Sequence, residues 1–322
     1  MHRMPRDLSI PLITGGAGFI GSALVRLLLA RPEVERVVVL DKLTYAGSLD
    51  RLPEHGKHPR LDFIHGDVTD RVLVEKLLAD HSITGVLHLA AESHVDRSIE
   101  KADDFIATNI TGTACLIEAC RVAGIPLLHC STDEAYGSAA PPVLFTEDSP
   151  LRPSSPYAAS KTSADLLCLA AHTTYGQDVV ITRASNNYGP RQHPEKLIPR
   201  MIHCALRDHH LPVYGNGLQV RDWMHSDDHS AGLIAAFLRG NAGEVYNLGA
   251  RCERTNLDLV RCILAILGKT ESLIRHVTDR PGHDCRYAIA PSKAARELGW
   301  TARVDFEQAF SQTVRQLAAE LA

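Results

Sequence analysis

Up to about residue 190, the chain alternates short apolar runs with longer amphipathic stretches. The short runs are typical of buried β-strands, and they occupy residues 9–14, 37–40, 61–65, 86–89, 127–131 and 179–182. The longer stretches have the periodicity of helices, at residues 19–30, 69–80, 108–123 and 156–175. Strands that alternate with helices in this way predict βαβ units and a parallel, doubly wound α/β sheet.

The sequence pattern changes after Tyr188, where prolines become frequent and the predicted helices and strands become short. This change indicates a smaller, mixed α/β region packed at the carboxyl edge of the sheet, which is where open α/β sheets bind ligands. We therefore expect a first domain at residues 1–188, to which residues 222–250 return, and a second domain at residues 189–221 and 251–322.

The composition is that of a soluble globular protein and argues against several classes of function. The 322 residues are 45% hydrophobic and 22% charged, and the net charge of −4 argues against a broad nucleic-acid or anionic-membrane surface. The sequence contains no apolar run of about 18 residues, and residues 1–9 lack the apolar core of a signal peptide. We expect a cytoplasmic protein with neither a nucleic-acid nor a membrane partner.

Cysteine and histidine are numerous, but their spacing predicts neither a disulfide framework nor a metal site. None of the eight cysteines stands in a C-x-x-C pair, and none of the seventeen histidines stands in an H-E-x-x-H motif. We expect reduced, partly buried thiols and no bound metal.

Three glycines follow the first predicted strand and open the first predicted helix. Gly15, Gly18 and Gly21 permit, in that order, a tight turn, the approach of the backbone to a pyrophosphate, and close packing of helix and strand. Asp41 ends the second strand, where a carboxylate accepts hydrogen bonds from a ribose 2′-hydroxyl and repels a 2′-phosphate. The pattern predicts a Rossmann-type first domain that binds NAD in preference to NADP.

A tyrosine and a lysine stand four residues apart in the helix predicted at residues 156–175. Tyr157 and Lys161 therefore lie on one face of that helix. A lysine ammonium close to a phenol stabilises the phenolate and lowers its pKa, so Tyr157 is expected to act as a base near neutral pH. Behind a glycine loop of the nicotinamide type, this pair is a strong candidate for a catalytic site.

Two adjacent carboxyl groups follow the strand predicted at residues 127–131. Asp133 and Glu134 come directly after Thr132, and an elimination needs one acid and one base of this kind. With its glycine loop, its Tyr157/Lys161 pair and Thr132, the chain resembles the short-chain dehydrogenase/reductase superfamily in its extended form.

A second resemblance covers the chain from about residue 10 to 310. Over this length the chain is similar to the nucleoside-diphosphate-hexose 4,6-dehydratases, best known as the dTDP-glucose 4,6-dehydratase family. The matching segments are residues 41–47, 88–98, 129–137, 186–190, 194–199, 214–215, 221–223, 280–284 and 298–300.

The resemblance implies a tightly bound NAD that is regenerated in each turnover. The pyrophosphate is expected on the glycine loop, the adenosine ribose on Asp41 and the adenine beside Asp67. The cofactor-binding residues are expected to be Gly15, Gly18, Phe19, Ile20, Gly21, Asp41, Lys42, Leu43, Thr44, Asp67, Val68, Leu89, Ala90, Ala91, Ser93, Thr108, Tyr157, Lys161 and Asn187.

The resemblance also implies a dehydration that yields a 4-keto-6-deoxy sugar nucleotide and water. Tyr157 takes the proton of the sugar 4-hydroxyl as the C4 hydride passes to NAD⁺, Lys161 tunes Tyr157, and Thr132 hydrogen-bonds the developing ketone. Glu134 then removes the C5 proton and Asp133 protonates the departing C6 hydroxyl. The hydride returns to C6, and Glu134 reprotonates C5.

The expected substrate is a nucleoside-diphosphate hexose, best matched by dTDP-glucose. Arg221 and Arg280 are suited to grip phosphate oxygens bidentately, and with Lys161 and Lys196 they predict a local cationic cleft. The substrate-binding residues are expected to be Ser93, Thr132, Asp133, Glu134, Asn186, Lys196, Leu197, Tyr214, Arg221, Asn256, Arg280, His283 and Tyr287.

Some departures from the family pattern leave the base and the sugar open. Arg191 takes a place often filled by an aromatic residue near the substrate, and the loop at residues 141–147 is short. Two alternatives remain: a related enzyme that acts on a UDP-sugar or an unusual nucleoside by 5,6-dehydration or epimerisation, and a non-catalytic NAD-binding protein. The presence of Asp133 and Glu134 argues against simple epimerisation. The intact Tyr157/Lys161 pair argues against a non-catalytic NAD-binding protein.

The resemblance finally implies a homodimer. Family members commonly dimerise through two long helices from each subunit, and here these helices are expected at residues 108–123 and 156–175. Together they form a four-helix contact.

Overall fold

The computed structural model describes residues 6–321, so residues 1–5 and 322, which the predicted domain ranges include, lie outside the described residues. The strands are β1 Pro11–Thr14, β2 Val37–Asp41, β3 Leu61–His65, β4 Gly85–His88, β5 Leu127–Thr132, β6 Val179–Ala184, β7 Asn186–Tyr188, β8 Leu211–Tyr214, β9 Val220–His225, β10 Val245–Leu248, β11 Glu253–Thr255 and β12 Ile274–Val277. The helices are α1 Phe19–Leu29, α2 Arg71–Asp80, α3 Val95–Glu100, α4 Asp103–Phe105, α5 Thr113–Ala123, α6 Pro156–Tyr175, α7 Leu197–Leu206, α8 Ser226–Arg239, α9 Asn256–Leu267, α10 Ser292–Leu298 and α11 Phe306–Leu321.

Seven strands form one sheet in the order β10-β6-β5-β4-β1-β2-β3, and every neighbouring pair is parallel. The strand order reverses between β1 and β4, and this reversal is the point at which doubly wound sheets bind dinucleotides. The predicted fold class, a Rossmann-type sheet with smaller mixed elements beside it, is confirmed.

Both faces of this sheet are buried because successive side chains alternate between two apolar cores. Ile13 and Val39 enter the core beneath α1 and α8, whereas Leu12 and Val38 enter the core beneath α2, α5 and α6. A strand buried on both faces has an unbroken apolar sequence, which explains why the apolar runs predicted these strands.

The long helix α6 begins and ends at the predicted residues, because both ends carry local signals. The Ser155 hydroxyl accepts a hydrogen bond from the Ala158 amide, and Pro156 occupies the first helical position. At the other end Gly176 adopts a left-handed conformation with φ 66°, which terminates the helix. These caps fix Tyr157 and Lys161 in the first turns.

The helix predicted at residues 108–123 differs from the structure in its first half. Helical backbone runs from α4 into α5 through a π-helical segment, Ile106–Gly112. The wider turns place Asn109 in a fully buried position, where its side chain bonds the Glu92 backbone and the Ser160 hydroxyl. The π segment thus ties the chain after β4 to the first turns of α6.

The remaining elements build a smaller region with its own apolar core. Strands β11, β9 and β7 form one small sheet, β12 and β8 form another, and α7, α9 and α11 bury the core between them. Strand β10 lies at the edge of the large sheet, and β7 pairs in parallel with β9 across the boundary expected at Tyr188. The division into two domains stays a prediction.

None of the helices within residues 6–321 combines the length and the apolar character that a bilayer crossing requires. The eight cysteines, all of them within this range, are unpaired.

Candidate active site

A cleft of about 350 Å³ opens at the carboxyl ends of the parallel strands. It brings together all the expected cofactor residues except Leu43, which does not line it: Gly15, Gly18, Phe19, Ile20, Gly21, Asp41, Lys42, Thr44, Asp67, Val68, Leu89, Ala90, Ala91, Ser93, Thr108, Tyr157, Lys161 and Asn187. The catalytic candidates Thr132, Asp133 and Glu134 line the same cleft, as do Asn186, Lys196 and Leu197 from the expected substrate set.

The glycine loop leaves no room for side chains at its first and third glycines. Gly15 has φ +71°, and a Cβ there would lie 2.6 Å from the Ala90 amide nitrogen. A Cβ on Gly21 would lie 2.1 Å from the Gly15 carbonyl oxygen. The loop therefore presents bare backbone and the N-terminus of α1 to the cleft, which suits the pyrophosphate of a dinucleotide.

Asp41 is buried at the end of β2 and organises the loops around it. One carboxylate oxygen accepts the Ala17 amide at 2.9 Å, and the other accepts the Leu43 amide at 2.8 Å. Burial raises the pKa of Asp41, and these two hydrogen bonds oppose that shift. Each oxygen keeps a free lone pair toward the cleft, as a ribose diol requires. Leu43 acts through its backbone amide, not through a side chain in the cleft.

Lys42 and Asp67 form an ion pair at the adenosine end of the cleft. The Lys42 ammonium lies 2.7 Å from the Asp67 carboxylate. Against the opposing effect of burial, this lysine lowers the pKa of Asp67. The pair leaves Asp67 ionised at neutral pH, as an acceptor of hydrogen bonds. Together the glycine loop, Asp41 and Asp67 fit an adenine dinucleotide.

Tyr157 and Lys161 both reach the cleft, but their electrostatics differ from the expectation. The prediction that Lys161 lowers the pKa of Tyr157 is wrong: burial, and next the charge of Glu134, raise that pKa well above 10. The Lys161 ammonium instead donates a hydrogen bond of 2.7 Å to the Cys130 carbonyl. Thr132 opposes the shift through a hydrogen bond to the phenol. In the described structure Tyr157 is therefore a protonated phenol.

The two adjacent carboxyl groups differ in their surroundings. Asp133 is 3% exposed, and burial together with the charge of Glu134 raises its pKa well above 3.8. Burial also raises the pKa of Glu134, but three cations lower it: Arg280, Arg221 and Lys196. Asp133 therefore carries a proton more readily than Glu134. One acid beside one base is the arrangement that an elimination needs.

Three cations surround Glu134 on the side of the smaller region. Lys196 is half-buried, and its ammonium donates to the Ser93 carbonyl at 2.9 Å. The Arg221 guanidinium stacks over the Tyr287 ring at 4.0 Å, and the Tyr287 hydroxyl lies 3.4 Å from a Glu134 carboxylate oxygen. Arg280 lies 3.5 Å from Asp96. This cluster places positive charge beside the acid pair, and these cations are suited to bind the phosphate oxygens of a diphosphate.

Six expected substrate residues lie outside the lining of the cleft: Arg221, Arg280 and Tyr287, described above, and Tyr214, His283 and Asn256. The Tyr214 hydroxyl donates to Asp96 at 3.0 Å, and the His283 ring binds Asp279 at 2.6 Å. Asn256 begins α9, where its backbone amide bonds the Gln219 carbonyl. Their expected roles stay predictions.

Several cleft residues were missed by sequence reasoning. Two histidines and one cysteine that the sequence analysis did not assign to the site line the cleft: His193, His229 and Cys130. Cys130 shares a face of β5 with Thr132, and this two-residue period was a usable signal. The His229 ring lies 3.0 Å from the Asn187 side-chain oxygen. His229 belongs to α8, far from Asn187 in the sequence, so no local sequence pattern identifies it as a cleft residue. The other unpredicted lining residues include Glu92, Gln192, Glu195 and Trp223.

A dinucleotide-type glycine loop, a half-buried tyrosine and a buried lysine on one helix, and an acid pair beside them define an extended short-chain dehydrogenase/reductase. The crystal structure of a UDP-glucose 4-epimerase from Thermotoga maritima shares this architecture. It matches with a TM-score of 0.90 at 28% identity and covers 97% of this chain and 100% of that chain.

Within that class the chain belongs to the GDP-mannose 4,6 dehydratase family, whose model matches residues 12–313. A dTDP-glucose 4,6-dehydratase from an Actinoplanes species is 49% identical over 309 residues, which cover 94% of this chain and 96% of the relative. A dTDP-glucose 4,6-dehydratase from Streptomyces venezuelae, crystallised with NAD and TDP bound, matches with a TM-score of 0.92. It is 48% identical and covers 95% of this chain and 96% of that chain. The predicted family is confirmed.

Proposed function

We propose that this chain is a hydro-lyase that converts dTDP-glucose to the 4-keto-6-deoxy sugar nucleotide and water, with NAD bound throughout turnover. The observation that carries this proposal is the pair of the buried Asp133 and the half-buried Glu134 beside Tyr157, in a cleft whose glycine loop fits a dinucleotide. The dTDP-glucose 4,6-dehydratases from Actinoplanes and Streptomyces venezuelae agree with it in activity, and the second was crystallised with NAD bound.

The first step is the removal of the sugar 4-hydroxyl proton by Tyr157. When bound, NAD⁺ supplies the hydride acceptor for C4 and a positive charge that favours the phenolate. Thr132 lies against the Tyr157 hydroxyl and would hydrogen-bond the new carbonyl oxygen. The Lys161 ammonium, which donates to the Cys130 carbonyl, places its positive charge in the same cleft.

The second step is the loss of water from C5 and C6. A ketone at C4 acidifies the C5 proton, and Glu134 removes it as a base. Asp133 donates its proton to the leaving C6 hydroxyl, because burial keeps this carboxyl protonated. With NAD bound, the hydride taken from C4 would then be added to C6, and Glu134 would return a proton to C5. The cations Arg221, Arg280 and Lys196 hold the diphosphate and favour the ionised form of Glu134.

The test is to incubate purified protein, without added NAD, with dTDP-glucose, UDP-glucose and GDP-mannose in separate reactions. We expect dTDP-glucose to lose one water while its diphosphate stays intact, as mass spectrometry detects. If UDP-glucose or GDP-mannose is consumed and dTDP-glucose is not, the proposed substrate is wrong. If none loses water although NAD is bound, the dehydration itself is wrong.

We also propose that the protein is a cytoplasmic homodimer, which fits its unpaired cysteines. Ile106, 51% exposed, begins the π-helical segment that leads into the first helix expected to pair, and Leu166, 54% exposed, lies on the second. Ile106→Glu with Leu166→Glu should shift the mass in light scattering from dimer to monomer. Val72→Glu is the control and should stay dimeric, because Val72 is also an exposed apolar residue, 76% exposed, but lies on α2, which is not expected to pair. A monomeric wild type contradicts the proposal.

A further inference from the structure

Two loops that are far apart in the sequence meet at the cleft. The first, residues 42–48, follows β2, and the second, residues 189–196, precedes α7. Both line the cleft, through Thr44, Ala46 and Gly47 in the first and Gln192, His193, Glu195 and Lys196 in the second. Contacts between these loops therefore lie beside the cleft that fits a dinucleotide.

Arg51 and Arg191 join the loops by reciprocal hydrogen bonds. The Arg51 Nε donates to the Arg191 carbonyl at 3.0 Å, and an Arg191 guanidinium nitrogen donates to the Arg51 carbonyl at 2.8 Å. Arg51 stands three residues after the first loop. It also donates to the Ala46 carbonyl, so it holds that loop against the residues that follow it. Arg191 holds a left-handed conformation with φ 63°, which is uncommon for a residue that has a side chain.

A second set of contacts lies beside the two arginines. The His193 Nε2 lies 2.9 Å from the Tyr45 carbonyl, and the two rings meet edge to face at 5.5 Å. The Arg97 guanidinium covers the Tyr45 ring at 3.8 Å. Burial lowers the pKa of His193, so the ring is neutral at pH 7 and donates this bond as its Nε2–H tautomer. Tyr45 and its loop are thus held in place by four side chains from three segments of the chain: Arg51, Arg97, Arg191 and His193.

We propose that these contacts, which we call the cleft strap and define by Arg51, Arg191, His193 and Tyr45, hold the first loop closed on bound NAD and slow its release. The inference rests on the proposed function, because it takes NAD as the resident dinucleotide. Asp41, which lies one residue before the first loop, carries the expected ribose contact. Departure of the dinucleotide requires that loop to move, and such movement breaks charge-assisted bonds to carbonyl oxygens.

The strap also explains Arg191, the residue that departs from the expected aromatic pattern. An aromatic side chain at this position cannot donate to the Arg51 carbonyl as a guanidinium does. Arg51 and Arg191 are therefore positioning residues, because they act on the cofactor through the loop and touch no reacting atom.

The experiment measures release of NAD from loaded protein. Wild type and variants are loaded with radiolabelled NAD, desalted, and chased with excess unlabelled NAD. Arg191→Gly suits the left-handed backbone at this exposed position, and Arg51→Met keeps the aliphatic stem of Arg51. The matched control is Arg251→Gly, another exposed arginine with positive φ, 57°, that lies outside the strap.

We expect release about fivefold faster in Arg191→Gly, which loses one hydrogen bond, and about 25-fold faster in Arg51→Met, which loses two. Arg251→Gly should release NAD at the wild-type rate. Circular dichroism checks that each variant is folded. Release at the wild-type rate from folded strap variants overturns the strap and leaves the proposed function standing. A wild type that binds no NAD overturns both.

Discussion

Replacing Glu134 with glutamine should separate the two halves of the proposed reaction. The substitution removes the base at C5 but keeps the size of the side chain and an acceptor for the Tyr287 hydroxyl, 3.4 Å away. A positioned base contributes about 10²- to 10⁴-fold, so turnover should fall about 10³-fold, which corresponds to about 4 kcal/mol. In the proposed mechanism this whole loss falls after oxidation at C4.

Oxidation at C4 should survive the change, for an electrostatic reason. The charge of Glu134 is one of the causes that raise the pKa of Tyr157, so its removal eases formation of the phenolate. With dTDP-glucose in a single turnover, Glu134→Gln should therefore accumulate NADH that wild type shows only transiently. Exchange of the C5 proton with deuterated water should be lost.

The assay combines NADH absorbance, mass spectrometry of the product and exchange at C5. The control is Glu147→Gln. Glu147 lies outside the cleft and accepts a hydrogen bond from the Asn247 backbone amide, and a glutamine side chain can accept the same bond. The reasoning is refuted if Glu134→Gln exchanges C5 at the wild-type rate. It is equally refuted if turnover is lost without any NADH, because the defect would then precede elimination.

Three further predictions follow from single contacts. Tyr157→Phe should lower turnover about 10³-fold and form no NADH from dTDP-glucose, while keeping its NAD content. Asp133→Asn should lose turnover yet melt at a higher temperature than wild type at about pH 8. Burial raises the pKa of this carboxyl, so ionisation opposes folding, and the difference should shrink toward pH 3.8, where the unfolded carboxyl also takes up its proton. Gly21→Ala should lower both the melting temperature and the NAD content, because its Cβ would lie 2.1 Å from the Gly15 carbonyl. Unchanged NAD content in Gly21→Ala would contradict the loop geometry.

Local signals made much of the fold predictable. Strands buried on both faces are continuous apolar runs, and β3 spans the residues that its run predicted. The caps Ser155 and Gly176 defined α6. The π-helical segment Ile106–Gly112 has no such signal, because one wider turn barely changes the apolar periodicity of a helix.

The site was predictable where its residues follow strand ends, and not where it depends on distant partners. The glycine loop and Asp41 belong to adjacent parallel strands, so their meeting follows from the topology. Arg51 and Arg191 are 140 residues apart and meet only through the tertiary fold. The raised pKa of Tyr157 depends on burial and on Glu134, neither of which the spacing of Tyr157 and Lys161 conveys.

The most direct test of the account is the fate of two hydrogens in one turnover. dTDP-glucose labelled with deuterium at C4 is converted in ordinary water, and unlabelled dTDP-glucose is converted in deuterated water. The account predicts that the C4 deuterium appears at C6 of the product, and that the solvent deuterium appears at C5. A product that loses the C4 label to solvent, or that gains no solvent deuterium at C5, contradicts it.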